Sequence, residues 1–425
     1  MKPSGWEVLR GIAVRFGIVL GALFVFPFPL GVIPKTDWLA EHVGKPLEWL
    51  ALWFNESVLQ LGSASPPSGS GDRPDDYGAA VLLLVLAALA TAVWSALDRR
   101  RTRYPRLVAA VRIGVRYYLA LTLISYGLAK VFKSQMPDLR PGDLDTPLGD
   151  LTPMGLAWAF MGYSTPYSVF AGMSEVVAGC LLLWRRTEVF GALIAIAVMT
   201  NVVAMNLCFD IPVKQYSAEL LILAIVVIAP VLRRLIAAAM GHAVPELPPR
   251  ARMSPRWERA RWVVRLAVLA AIPMMVYAEI AVRTGRNERR HTLYGGWIVD
   301  SFAADGVERP PLGTDHERWS KLELNGAGLW MVGMTGERSP ADLAVDATHG
   351  TLAVTPYKDA DRPGDHEVTE TWHYTQPSAA ELVIDGEHGG KRLRVALHRA
   401  PPSRLMTYGF HWVHLVPPRA RDRKH

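Results

Sequence analysis

The chain has 425 residues, half of them hydrophobic and 20% charged, with a formal net charge of +7. Mean hydropathy is positive, which argues against a wholly soluble protein, and the length allows more than one domain. Two cysteines exclude a disulfide framework, and no recognition-helix or RNA-binding motif accompanies the basic balance, so the excess Lys/Arg marks cytoplasmic loops rather than a nucleic-acid site.

Apolar runs long enough to cross a bilayer predict seven transmembrane helices, at Val8 to Ile33, 77–97, 107–132, 167–184, 189–209, 215–232 and 262–282. In the first, Lys2, Arg10 and Arg15 precede the apolar stretch, but that stretch carries Pro27 and Pro29 and has no nearby A-x-A site. It therefore reads as a retained helix, not a signal peptide. Beyond it, Leu47, Leu50, Phe54, Val58 and Leu61 recur at helical spacing with Trp38, Trp49 and Trp53 nearby. That predicts an amphipathic helix at the headgroup level. The Pro/Gly/Ser stretch 63–76 reads as a linker.

The short connections carry 17 Lys/Arg on the side of the N-terminus and 6 on the other. Positive-inside then puts the N-terminus in the cytoplasm and residues after the seventh helix outside, as in a multi-pass inner-membrane protein with a periplasmic domain. The expected organisation has five parts. Residues 1–106 hold two helices with an outer loop, 107–235 a four-helix bundle, 236–261 a basic cytoplasmic loop, 262–282 the seventh helix and 283–425 an extracytoplasmic domain. In that last part, seven short alternating runs at 295–303, 318–324, 328–334, 350–356, 368–374, 380–386 and 391–399 predict an antiparallel all-β barrel or sandwich. The opening Gly295-Gly296-Trp297 resembles the start of lipocalin-like barrels.

Ionisable groups within spans are functional candidates because hydrocarbon penalises them. At ~1.5 Å per residue from each helix's outer end, Lys130 lies roughly 3 Å deep, Asn206 roughly 5 Å, Tyr126 roughly 9 Å, and Glu175 and Asn201 roughly 12 Å. Asp210 sits at the mouth, Tyr216 and Glu219 lie within about 6 Å of it, and Lys133 and Lys214 occupy the adjoining loops. All ten fall in the outer half of the membrane. Two readings remain open: an outward-facing polar pocket, and an interhelical network that fixes packing.

Several of these residues sit in a recognisable pattern. Tyr126-Gly127 through Lys130 and Phe132, Ser164-Thr165-Pro166-Tyr167, Glu175 with Gly179, Arg185-Arg186-Thr187, and Asn201 through Asn206, Asp210, Pro212, Val213 and Lys214 resemble the DoxX-like family. The resemblance covers about 107–235. Residues Gly409 to Val413 resemble the ending of DoxX-like proteins that append a β domain. It implies a four-helix membrane bundle and a link to quinone-coupled sulfur oxidation and membrane redox complexes, although the wider group includes a cargo receptor without redox chemistry.

No covalently bound cofactor is expected. Cys180 and Cys208 lie roughly 20 Å apart in depth, against the about 7 Å that a disulfide requires. No histidine lies in a predicted span, and no cysteine cluster suits an iron–sulfur centre. Gly326-Ala327-Gly328 reads as a turn. Ten histidines crowd the outer domain (His291, His316, His349, His366, His373, His388, His398, His411, His414 and His425) without an H-x-H or H-E-x-x-H motif, and read as surface residues. Redox chemistry would need a diffusible quinone or a partner protein's cofactor. The expected function is a pocket for a quinone or small amphiphile, in a subunit of a membrane redox assembly. The alternative is a non-enzymatic lipid- or partner-binding scaffold whose β domain holds the ligand. Membrane lipids are the expected surroundings.

Overall fold

The computed structural model describes residues 5–30, 36–62, 71–99, 101, 103–244, 255–288, 291–357 and 368–409. His366, His411, His414, His425 and the Phe410 to Val413 ending lie outside them. The chain divides into two compact units, 1–138 with 151–283, and 139–150 with 284–425.

The first unit is helical. In chain order it contains α1 (Gly5–Val25), α2 (Asp37–Phe54) and α3 (Pro74–Leu97), then α4 (Pro105–Val131). The short α5 (Pro141–Asp145) belongs to the second unit. The bundle resumes with α6 (Pro153–Tyr163), α7 (Thr165–Leu183), α8 (Glu188–Cys208), α9 (Lys214–Ala239) and α10 (Pro255–Glu288). Among the described residues seven helices, α1, α3, α4 and α7–α10, are long and apolar enough to cross a membrane. The amphipathic helix predicted between the first two spans is α2. Its C-terminal turn is stapled to α3 by the buried Asn55, which donates to Gly62 O at 2.9 Å and Asp75 Oδ1 at 2.8 Å.

Glycine sets the closest helix pair. A Cβ on Gly127 would sit 2.5 Å from Gly172 O, one on Gly172 2.5 Å from Gly127 O, and one on Gly179 2.6 Å from Ala120 O. The α4 and α7 backbones therefore touch, the arrangement that small residues allow between membrane helices. Leu119, Leu123, Ile124, Leu182 and Ala224 fill the core between α4, α7 and α9. At the opposite end from Lys130, Arg15 is buried and donates to Ser95 Oγ, Tyr104 Oη and the carbonyls of Asp98 and Arg101. It ties α1 to the α3–α4 connection, so beyond flanking a span it has a structural task.

The second unit is an up-and-down antiparallel barrel. Its strands are β1 (Gly295–Ala304), β2 (Val307–Glu308), β3 (Trp319–Leu324), β4 (Gly328–Gly333), β5 (Arg338–Asp346), β6 (Thr351–Pro356), β7 (Glu370–Ser378), β8 (Glu381–His388) and β9 (Lys391–Arg399). Each of β3 to β9 pairs with the next, and β1 pairs with both β3 and β9, so eight strands close and the two-residue β2 only extends β1. Closure decides for a barrel over a sandwich. Eight is also the count at which side chains nearly fill the interior or leave room for one small ligand. Seven of the eight were anticipated. The eighth, β5, contains Pro340 and Asp342, which disguise its alternation.

Trp297 is fully buried and plugs one end of the barrel. Its Nε1 donates to Leu293 O at 2.8 Å, and the Arg399 guanidinium stacks 4.5 Å from its ring. Arg399 also donates to Thr292 O and Tyr294 O, which holds the last strand over the first.

The segment 139–150 corrects the expected domain limits. It lies in the connection between α4 and α7 yet belongs to the β unit. Asp143 caps the backbone of Arg140 at 2.8 Å, Arg338 donates to Gly142 O and Thr146 Oγ1, and Asp145 pairs with Lys321. The helix of the seventh span also runs beyond 282, to Glu288.

Candidate functional site

Four residues at i, i+4, i+8 and i+12 form one stripe of α4: Tyr118, Thr122, Tyr126 and Lys130. Tyr118 and Tyr216 share a hydrogen bond at 3.0 Å between their hydroxyls. The Tyr126 and Tyr216 rings lie 6.3 Å apart, and the Lys130 ammonium sits 5.8 Å from the Tyr126 ring. Lys130 Nζ donates to Glu175 Oε2 at 3.0 Å, and both side chains are buried, 6% and 3% exposed. On the far wall, the Asn206 amide donates to Ser217 Oγ at 3.0 Å, and that hydroxyl donates to Lys214 O. Gln135, Met136 and Trp158 lie along the Lys130 end, with Trp158 Nε1 donating to Gln135 O at 3.1 Å. The cavity enclosed measures about 50 Å³, the room of a water or two rather than of an aromatic ring.

Of the ten predicted site residues, Tyr126, Lys130, Glu175, Asn206 and Tyr216 line this cavity. The other five do not. Asn201 points outward from the bundle and makes no side-chain hydrogen bond among the described residues. It stands five residues from Asn206, roughly 140° round the helix at 100° per residue. Lys133 is buried, but it braces the α4–α7 connection through Gly162 O at 2.6 Å and Asp138 at 2.7 Å. Asp210 is exposed and pairs with Lys214 at 2.8 Å, while Lys214 also lies 3.6 Å from Asp72. Glu219 accepts from Gln215 at 2.9 Å. Lys130 and Glu175 meet although the sequence puts them roughly 9 Å apart in depth. Depths counted on upright axes ignore the reach of a lysine stem and the close approach that Gly127 and Gly172 permit. Tyr118 and Thr122 escaped prediction, although their four-residue spacing from Tyr126 marks them.

A second group escaped it too. Arg112 and Arg116 of α4 both pair with Glu188 of α8, and Arg112 also donates to Val227 O of α9 at 3.0 Å. This triad joins three helices near the end opposite Lys130.

The barrel holds a cavity of about 270 Å³ at the end away from Trp297. Its floor is aromatic: Trp319 lies 5.4 Å from Phe302, 5.5 Å from Trp372 and 5.4 Å from His388. Glu370 fixes two of these rings, meeting His388 Nδ1 at 2.8 Å and accepting from Trp372 Nε1 at 3.2 Å. The rim is charged. Glu317 accepts from Lys391 at 2.7 Å and pairs with Arg309 at 2.6 Å. The hydrogen bond from Lys391 holds the Glu317 carboxyl below its usual range. His316 stands 4.0 Å from Glu337. Among the described residues no cluster of three or more His, Cys, Asp or Glu has the arrangement of a metal site. His291 instead meets Gly326 O at 3.2 Å, and burial pushes its pKa down.

No family model matches the sequence, and no solved structure matches it either. One curated relative does. The Bacillus subtilis (strain 168) protein named uncharacterized protein YwoB is 36% identical over 127 residues, which are 29% of this chain and 80% of that protein. The chain belongs to the YwoB family. More than two thirds of this chain lies outside the part it shares with YwoB, so the architecture here is larger than the shared portion.

Proposed function

We propose that this is a membrane-anchored binding protein whose β-barrel holds a small amphiphile. The observation that carries the reading is a closed barrel plugged at one end by Trp297 and Arg399 and open at the other onto an aromatic-floored cavity with a charged rim. At about 270 Å³ the cavity is just below the ~300–1,000 Å³ of typical small-molecule sites. Apolar floor and polar rim match a ligand with a ring or short chain and a polar head. Lys391 and Glu317 pair with each other, so a charged head would exchange with one of them.

The test is a titration of the full-length protein in detergent with a fluorescent amphiphile, read by quenching of tryptophan emission. Met331→Trp fills the cavity from β4 and should weaken binding at least tenfold while the circular dichroism spectrum stays unchanged. Undiminished binding by a folded Met331→Trp protein refutes the reading.

A second reading attaches to the bundle. The ladder Tyr118–Tyr216–Tyr126–Lys130–Glu175 aligns hydroxyl, ammonium and carboxyl groups within the spans. A DoxX-like protein in a redox assembly would hold a quinone head there, with Lys130 and Tyr126 donating to its carbonyls. The Lys130–Glu175 pair must open to admit it, because the cavity as it stands is too small. Organic extraction of protein purified in mild detergent, followed by mass spectrometry, separates the readings: stoichiometric quinone that is lost in Lys130→Met favours the bundle. In either case the charge asymmetry of the loops argues for an inner-membrane protein with its β domain in the periplasm.

A further inference from the structure

The end of the bundle opposite Lys130 carries a cavity of about 630 Å³ between the α7–α8 turn and α9. Arg185 and Arg186 of the turn and Arg234 of α9 line it. Arg234 Nε is buried and has no hydrogen-bond partner among the described residues. A buried guanidinium N–H that lacks an acceptor carries the cost of its desolvation, and an incoming oxygen anion would remove it. Glu188 also lines the cavity, but its two oxygens are taken by Arg112 and Arg116. Among the described residues the lining therefore holds three arginines and one carboxylate that is already engaged. The first turn of α8 adds N–H groups, since Thr187 makes no side-chain cap.

The remaining wall is apolar, with Val189, Val231, Leu235 and Ala238. Phe190 and Ile236 beside it on α8 and α9 are exposed. The level along the bundle is marked as well. Trp184, just before the turn, and Trp262 of α10 are exposed, and Arg265 stacks on both rings, at 5.7 Å and 5.0 Å. Tryptophan in that position is characteristic of the bilayer interface. A site that joins several arginines to an apolar wall at headgroup depth has the chemistry of an anionic lipid.

We propose that this cavity binds an anionic phospholipid, with the phosphate on Arg186 and Arg234 and an acyl chain along Val189, Val231 and Leu235. Soluble phosphate would use the arginines but gain nothing from that wall. The site is separate from both the barrel cavity and the Lys130–Glu175 cluster.

The experiment titrates phosphatidylglycerol into the full-length protein in neutral detergent and follows the bound fraction by native mass spectrometry. Phosphatidylcholine and inorganic phosphate serve as parallel arms. The expected result is saturable binding of phosphatidylglycerol in preference to phosphatidylcholine. Arg186→Gln/Arg234→Gln should weaken it about thirtyfold, from the typical contribution of two basic residues near an anionic surface. Ala238→Phe, which fills the cavity and keeps every charge, should weaken it as well, and it covers the case in which the double variant does not fold. Equal affinity in wild type and a folded Ala238→Phe protein would overturn the proposal. So would equal affinity for the two lipids, or inorganic phosphate displacing the lipid completely at millimolar concentration.

Discussion

Replacing Glu175 with Gln leaves the Lys130 ammonium where it now sits, buried and 3.0 Å from its lost partner. Removing one member of a buried ion pair costs about 3–5 kcal/mol, most of it the uncompensated charge. Neither side chain can swing to water without moving Tyr126, Met199 or Leu220, which line the same small cavity. At about 2–4 °C per kcal/mol for a unit of this size, Glu175→Gln should lower the melting temperature by roughly 6–20 °C. Lys130→Met alone should cost a comparable amount, because the carboxylate is then stranded. The double variant Lys130→Met/Glu175→Gln leaves neither charge buried alone and should recover most of the loss. The assay is a thermal-shift double-mutant cycle on the full-length protein in one detergent, with coupling above about 2 kcal/mol expected. Single losses below about 1 kcal/mol that simply add would mean that water already reaches both charges, and the argument from burial would fail.

Three further outcomes follow from other parts of the molecule. Gly179→Leu pushes a side chain into Ala120 O and Ile124 and should destabilise the bundle by at least the about 1–3 kcal/mol of ordinary overpacking; an unchanged melt would show that α4 and α7 separate freely. His291 has its pKa lowered by burial, so the unfolded chain binds the proton more readily. Its contribution to stability is present above the ordinary histidine pKa of about 6.5 and is lost as pH falls below it. His291→Gln should remove that part of the pH dependence of the β-domain melt between pH 5 and 7, and a profile identical to wild type argues against it. Alkaline phosphatase fused after residue 409 should be active in cells and inactive when fused within 98–106; the reverse pattern inverts the topology.

The spans were legible because each needs only an uninterrupted apolar run, and the four-residue spacing of Tyr126 and Lys130 marks one face of α4. Azimuth was legible only in part. Asn201 and Asn206 match in chemistry but not in direction, and the helical wheel already separates them. Depth was a poor guide to Lys130 and Glu175, because contact across α4 and α7 depends on Gly127 and Gly172, which read individually as nothing more than small residues. β5 was hidden by Pro340. The docking of 139–150 had no local signal at all, since its partners Lys321, Glu323 and Arg338 lie about 180 residues further along the chain. A chain read in short windows shows what each stretch prefers, not which distant stretch completes it.

That docked segment changes what the covalent connection after α10 means. A protease that cut between 284 and 291 would sever the peptide bond but not free the barrel, because Gly142, Asp145 and Thr146 would still grip Arg338 and Lys321. The timing of synthesis is affected as well. Residues 139–150 leave the ribosome about 150 residues before β1, so this piece of the barrel unit must wait, already fixed between two spans, for the strands that cover it. The buried Glu323 carboxylate, which sits against Gly142, is sheltered only once that wait is over.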